Sequence, residues 1–162
     1  MGLLKEEYKE NKFENCFDTL YTKYTRVRRL RRDGNCFYRA FLYQLFEHLI
    51  TSCHQGDETL YKQISDIVTK SKDELIAGGY EELVIGDFYD AFSEAIAGLP
   101  KVEKDEAKIE AHLLGLLGNN EGANYLIMFI RWLTALYLKQ NAILYEVWVN
   151  GDIDGFCTRE VE

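Results

Sequence analysis

The stretch with the clearest chemical potential is RRDGNCFYRA, residues 31–40. In it Cys36 directly follows an Asp-Gly-Asn turn and directly precedes a predicted helix. The first N–H groups of a helix lack intrahelical partners and carry the positive end of the helix dipole, so they stabilise a thiolate, the reactive form of cysteine. A buried structural thiol has no need of this position, whereas a nucleophile does.

The turn before Cys36 contains further parts that nucleophilic catalysis requires. Gly34 allows a sharp backbone bend, and the N–H groups of Gly34, Asn35 and Cys36 are candidate donors to an oxyanion. Asp33 can hold the turn by accepting a hydrogen bond from the backbone that follows it. Two interpretations stay open on these residues alone, a catalytic loop and a structural turn, because such turns are common and cysteine is often a small buried residue.

The composition limits the class of protein. With 162 residues, of which 47% are hydrophobic, the chain is predicted to form a single globular domain with its own core. The formal net charge of −8 argues against general nucleic-acid binding and favours partners with a basic face. For the same reason the basic cluster is predicted to form ion pairs and solvated side chains instead of a nucleic-acid site; it comprises Arg26, Arg28, Arg29, Arg31 and Arg32.

The cysteines and the apolar stretches indicate the compartment. The four cysteines lack metal-binding spacing and are predicted to be free thiols; they are Cys16, Cys36, Cys53 and Cys157. No secretory signal is visible, and the best candidate for an apolar span, residues 123–137, is interrupted by Arg131. The expected location is the cytoplasm or the nucleus, and no membrane partner is predicted.

The elements that must position Cys36 are mostly helices. Hydrophobic periodicity predicts helices over residues 14–23, 36–51, 57–77, 87–97, 106–117 and 124–139, with shorter ones over 143–149 and at the end. Residues 24–30 are predicted to be extended, and strand signals are weak elsewhere. In the helix that begins at Cys36, the apolar stripe predicted to face the core is Phe37, Phe41, Leu45, Phe46 and Leu49.

The motif DGNCFYRA, preceded by an arginine-rich run, closely resembles the catalytic motif of the ovarian-tumour family of deubiquitinating cysteine proteases. Within that family the chain resembles the otubains, because residues 71–92, 125–138 and 155–162 are also similar. The resemblance covers nearly all of the chain. It implies a papain-like α/β fold for the complete domain, of which these 162 residues form the predominantly α-helical part with little strand.

The resemblance also implies a reaction and its residues. Cys36 carries the nucleophile, Asp33 contributes oxyanion stabilisation through its loop, and Gly34 and Asn35 shape the oxyanion hole. The implied reaction is attack of Cys36 on the isopeptide carbonyl after the ubiquitin C-terminus, followed by hydrolysis of the thioester. Ubiquitin or polyubiquitin is then the partner, and no metal or cofactor is needed.

A histidine base is the part that this sequence does not supply. His48 lies twelve positions after Cys36, roughly 18 Å along a continuous helix, His54 lies farther, and His112 has no Asp or Asn close behind it. Otubains carry this histidine downstream on a strand. The chain is therefore expected to lack the C-terminal part of the domain, through truncation or degeneration, and to hydrolyse ubiquitin chains poorly by itself.

Two further expectations follow from an incomplete domain. Helix faces meant to pack on absent strands would be exposed and would favour self-association. The alternative function is a non-catalytic module that binds ubiquitin or ubiquitin-conjugating enzymes. The two functions differ in their dependence on the thiol, because Cys36→Ser should abolish cleavage and spare binding.

Overall fold

The computed structural model describes residues 6–8, 16–118 and 121–162, and the chain divides into two compact units, Met1–Arg31 and Arg32–Glu162. In the first unit, helix α1 is Cys16–Lys23. Its buried Phe17 packs against Tyr8, with ring centroids 5.5 Å apart. Residues 14 and 15, where the predicted helix begins, lie outside the described residues, and the segment predicted to be extended, 24–30, forms no strand.

All regular secondary structure in the described residues of the second unit is helical. Its long helices are α2 (Cys36–His54), α3 (Thr59–Ala77), α4 (Glu82–Gly98), α5 (Glu106–Leu117) and α6 (Glu121–Gln140). Shorter helical turns occur at Leu99–Lys101, Ala142–Tyr145, Glu146–Trp148, Ile153–Phe156 and Cys157–Val161. The six long predicted helices are confirmed in order, although α4 begins at Glu82 instead of residue 87, and five short helical segments occur where two were predicted. The predicted scarcity of strand holds for the residues that the structure describes.

The helix ends follow from local side-chain and glycine chemistry. Gly78 ends α3, and Gly79 takes the positive φ of 94° that favours glycine after a helix. Asp105 begins α5 by accepting a hydrogen bond from the Lys108 N–H at 2.9 Å. The helix predicted from residue 57 begins at Thr59, because Glu58 is the N-cap and Asp57 accepts from the Thr59 N–H at 3.0 Å.

The core of this unit is built where α2, α4 and α6 meet. Phe92 on α4 lies between Phe46 of α2 and Phe129 of α6, with ring centroids 6.0 and 5.0 Å away. All three rings are fully buried, together with Leu42, Leu49, Ile50, Leu75, Ile85, Leu113 and Ile127. A smaller buried cluster joins the terminal segment to α6 and consists of Ala135, Ile153, Cys157 and Val161.

The predicted core face of α2 is wrong at its first turn. Phe37 and Phe41 are 69% and 45% exposed, whereas Leu42 is fully buried and Arg39 is only 3% exposed. Apolar residues lie on more than one side of α2, so its hydrophobic periodicity is compatible with two different buried faces. The inner face carries the fully buried Leu42, Phe46 and Leu49, and Arg39 lies on the same face, where its charge requires partners inside the unit.

Arg39 joins three parts of the second unit. Its Nη1 donates to the carbonyl oxygens of Leu117 and Gly118, at 2.9 and 3.0 Å, where α5 ends. Its Nε and Nη2 donate to Oδ2 of Asp33, at 3.2 and 2.7 Å. A cation is favourable at the negative end of a helix dipole, and the carboxylate compensates its charge. Arg39 therefore ties the segment before α2 to the end of α5.

We expect Arg39→Met to lower the free energy of unfolding by about 3 kcal/mol, because it leaves the Asp33 carboxylate and two helix-end carbonyls without their donor. Urea unfolding followed by far-UV circular dichroism measures this loss. The matched control is Arg159→Met, which removes an exposed ion pair to Asp152 and should cost less than about 1 kcal/mol. Equal denaturation midpoints for the two variants would contradict the assignment.

The last residues are held by a partly buried polar group. The Glu162 carboxylate accepts hydrogen bonds from the Tyr80 hydroxyl and from Lys139 Nζ, both at 2.6 Å. Partial burial acts to raise the pKa of Glu162, but the bonds from Lys139 and Tyr80 outweigh burial and hold the pKa below its ordinary value. Burial and the bond to Glu162 raise the pKa of Tyr80. These polar contacts therefore hold the terminal segment in addition to its apolar cluster.

Because the folded-state pKa of Glu162 is lowered, its contribution to stability is present above the unfolded pKa and is lost as pH falls through the folded one. We expect Glu162→Gln to lower the free energy of unfolding by about 1 kcal/mol at pH 7 and by much less near pH 3. Urea titrations at both pH values measure the difference. Glu160→Gln, an exposed carboxylate two residues away, is the control. An equal loss of unfolding free energy at both pH values would contradict this role of the Glu162 carboxylate.

Candidate active site

The loop before α2 is an Asx turn. Oδ1 of Asp33 accepts a hydrogen bond from the Asn35 N–H at 3.0 Å, which is the contact proposed for holding the turn. Gly34 lies between them with φ of +81°, a left-handed conformation that residues with a Cβ rarely adopt. The other carboxylate oxygen of Asp33 is held by Arg39. One side chain therefore fixes the backbone of the loop and attaches it to the buried cation.

Cys36 is exposed and is the first residue of α2. Asn35 is the N-cap, but its side chain makes no capping hydrogen bond to the first turn. Beside the thiol, the rings of Phe37 and Phe41 stack with centroids 6.3 Å apart and planes 14° apart, on the exposed side of the helix. The structure thus combines an accessible thiol, uncapped N–H groups and an aromatic surface at one end of α2.

Arg131 of α6 contacts this loop from another side. Its Nη1 donates to Oδ1 of Asn35 at 2.7 Å, while Nε and Nη2 donate to the carbonyl oxygens of Val161 and Glu162, at 2.5 and 3.0 Å. Its guanidinium carbon lies 5.8 Å from the centroid of the Tyr38 ring, a cation–π arrangement. Arg131 therefore connects the loop before α2 to the terminal segment.

Sequence reasoning assigned no role to Arg39 or Arg131. Arg39 belongs to the DGNCFYRA motif, and Arg131 was noted only as an interruption of an apolar stretch. Each is a single arginine among apolar residues of a core helix. This pattern could have indicated a buried cation that requires hydrogen-bond partners. The partners themselves are distant along the chain and could not be identified from it.

None of the three histidines is hydrogen-bonded to Cys36. His48 is exposed on α2, which is continuous from Cys36 to His54, so the estimate of roughly 18 Å between positions 36 and 48 applies. His54 Nε2 lies 2.8 Å from the Val102 carbonyl oxygen. His112 on α5 lines a groove of about 400 Å³ whose lining includes no residue of the 33–36 loop, and its Nε2 is buried without a hydrogen-bond partner.

Other classes of site are not evident in the described part of the chain. There, no group of His, Cys, Asp and Glu side chains is arranged to hold a metal ion. None of the described helices combines the length and apolar character needed to cross a membrane. All four cysteines are free, as predicted, and burial raises the pKa of the Cys157 thiol, which packs in the small terminal cluster.

Known structures show the same arrangement of helices. The fold is similar to that in "The structure of a ceOTUB1 ubiquitin aldehyde UBC13~Ub complex", with a TM-score of 0.77 and 26% identity, over 99% of this chain and 63% of that one. It is also similar to that in "The structure of h/ceOTUB1-ubiquitin aldehyde-UBCH5B~Ub", with a TM-score of 0.77 and 27% identity, over 99% of this chain and 62% of that one.

Sequence comparison agrees with the structural similarity. The chain is 32% identical over 166 residues to the ubiquitin thioesterase OTUB1 of Homo sapiens, covering 100% of this chain and 58% of that protein. It is 26% identical over 164 residues to the ubiquitin thioesterase OTUB2 of Homo sapiens, covering 100% of this chain and 66% of that protein. The chain therefore spans less than two thirds of the length of these relatives.

The family model described as Peptidase C65 Otubain matches residues 1–162, the whole sequence. This match confirms the resemblance carried by DGNCFYRA. Together with the DGNC turn, the exposed thiol that opens α2 and the shared fold, it shows that the chain belongs to the otubain family of C65 peptidases.

Proposed function

We propose that this chain provides the nucleophile of a cysteine-type deubiquitinase, with Cys36 as the attacking residue. The observation that carries the proposal is the exposed thiol at the start of α2, directly after a turn fixed by Asp33 and Arg39. The relatives named ubiquitin thioesterases support ubiquitin as the acyl group of the substrate.

In this reaction the Cys36 thiolate attacks the carbonyl carbon of the isopeptide bond that follows the ubiquitin C-terminus. The carbonyl oxygen becomes an oxyanion, which the N–H groups of Gly34 and Cys36 can stabilise, whereas the Asn35 N–H predicted for this role already donates to Asp33. The C–N bond then breaks, the amine leaves with a proton, and water hydrolyses the thioester to release ubiquitin and the thiol. Asp33 acts here by fixing the loop, since both of its carboxylate oxygens already accept hydrogen bonds.

The proton transfer requires a base that none of the histidines described above supplies. We propose that a histidine outside residues 1–162, in a complete papain-like α/β domain, acts as this base. Residues 1–162 alone should then turn over ubiquitin chains poorly. The proposed location is the cytoplasm or the nucleus, where thiols stay reduced, in keeping with free and exposed Cys16 and Cys36.

A second candidate function is binding without cleavage, to ubiquitin or to ubiquitin-conjugating enzymes. The similar structures described as complexes with ubiquitin aldehyde and UBC13~Ub or UBCH5B~Ub support it. So do large apolar side chains that face solvent after α6, Ile143, Leu144, Val147 and Trp148, the last 83% exposed. Exposed apolar patches of this kind mark protein contacts. Self-association through the same patch is the competing prediction.

The first test is labelling by ubiquitin that carries an electrophile at its C-terminus. We expect a covalent adduct at Cys36, absent from Cys36→Ser and unchanged in Cys16→Ser. Cys16 is a matched control because it is also exposed and also lies in a helix, but no Asp-Gly-Asn turn precedes it. Intact-mass spectrometry and peptide mapping identify the labelled residue.

The rate of this labelling separates the two functions. If the protein continues past residue 162 to include a histidine base, that longer form should be labelled faster than residues 1–162. Ubiquitin binding that survives Cys36→Ser without any labelling of the parent chain would place the binding function first. An adduct on Cys16 in place of Cys36 would overturn the nucleophile assignment.

A glycine pair tests the geometry of the loop. We expect Gly34→Ala to slow labelling of Cys36 at least about tenfold, because the Cβ disfavours the left-handed backbone that aims the loop N–H groups. Gly56→Ala is the control, since Gly56 has a similar φ of +84° and equally open surroundings but lies beyond the far end of α2. Both should cost about 1 kcal/mol of stability. Equal labelling rates would show that the turn conformation does not matter for reactivity.

A further inference from the structure

Asn35, like Asn141, is an asparagine N-cap whose side chain makes no capping hydrogen bond. Asparagine is among the preferred residues at this position because its side-chain oxygen accepts from the N–H groups of the first turn. Two other helices of this unit start in that way: Asp105 accepts from Lys108, and Asp152 accepts from Gly155 at 2.9 Å. The helix that begins at Cys36 has no side-chain cap, although its N-cap residue could provide one.

The side-chain oxygen of Asn35 is occupied by Arg131. The bond from Arg131 Nη1 to Asn35 Oδ1 is 2.7 Å long, and a bond from a charged donor is stronger than one from a neutral backbone N–H. The orientation of the guanidinium is also fixed by its bonds to the carbonyl oxygens of Val161 and Glu162 and by its packing over the Tyr38 ring. Arg131 thereby holds the Asn35 side chain, and the backbone of Asn35, with φ of −100° and ψ of 14°, lies outside the extended conformation from which Asp105 caps its helix.

We propose that Arg131 is a positioning residue that keeps Asn35 from capping α2. The N–H groups of Phe37 and Tyr38, which an N-cap side chain would occupy, then stay open to the negative charge that develops on the Cys36 thiolate. An ordinary Asn cap would stabilise the helix by covering these same donors. This inference rests on the proposed role of Cys36 and adds a residue from α6 to the loop.

A purely structural role for Arg131 must be distinguished from this one. Arg131 also ties the terminal segment to α6, so its loss should lower stability whatever it does to Asn35. Lys139 is a suitable control, because it anchors the same segment through Glu162 and makes no contact with Asn35. Asn35→Gly supplies the second control, since glycine is tolerated at an N-cap and has no side chain that could cover the N–H groups.

The experiment compares Arg131→Met, Asn35→Gly, their double variant and Lys139→Met, at a temperature where circular dichroism shows each to be folded. The rate of Cys36 labelling is measured with the ubiquitin electrophile and with iodoacetamide, by mass spectrometry of the Cys36 peptide. We expect Arg131→Met to slow both reactions about tenfold. In the Asn35→Gly background the same change should have less than about a threefold effect, because nothing remains to cap the helix. Lys139→Met should leave the rates unchanged.

The outcomes separate this inference from the proposed function. An equal effect of Arg131→Met with and without the Asn35 side chain, or an equal effect of Lys139→Met, overturns the positioning role. If Arg131→Met does not fold, Arg131→Lys replaces it, since lysine keeps the charge but cannot reach Asn35 and both carbonyls at once. If ubiquitin labels no variant, the proposed function fails, while the iodoacetamide rates still decide what Arg131 does.

Discussion

The arrangement around Cys36 depends on the burial of one cation, Arg39. Its guanidinium must be compensated, and it is compensated by the Asp33 carboxylate together with the last carbonyls of α5. These contacts attach α2 to α5 and hold the carboxylate that shapes the DGNC turn. Breaking a buried pair leaves a charge without its partner, so loop geometry and fold stability share one interaction.

A second cation holds the same loop from α6. Arg39 engages Asp33 and Arg131 engages Asn35, so the residues on both sides of Gly34 are fixed by side chains from different helices. Gly34 adopts its left-handed conformation without strain, and the two arginines hold the residues on either side of it. The N-terminus of α2 is thus held by two side chains while its first-turn N–H groups stay uncapped, as in helix termini that bind anions.

The helical unit holds the candidate nucleophile, Cys36, apart from all three histidines. His48 lies on the exposed side of α2, His54 bonds to a carbonyl, and His112 belongs to a groove between other helices. The Cys36 thiol is therefore exposed without a histidine hydrogen-bonded to it. The match over the whole sequence shows family membership, whereas the proposed turnover requires a base that none of these histidines supplies.

The sequence by itself determined the helices, the turn at Gly34 and the family, because periodicity, turn chemistry and the DGNCFYRA motif are local properties of the chain. Only the tertiary structure decided which side of α2 is buried, since the helix is apolar on more than one side and the choice depends on which residues of the other helices pack against it. The same holds for Arg131, which lies 96 positions from Asn35. A contact between residues so far apart is produced by helix packing, and no local pattern specifies it.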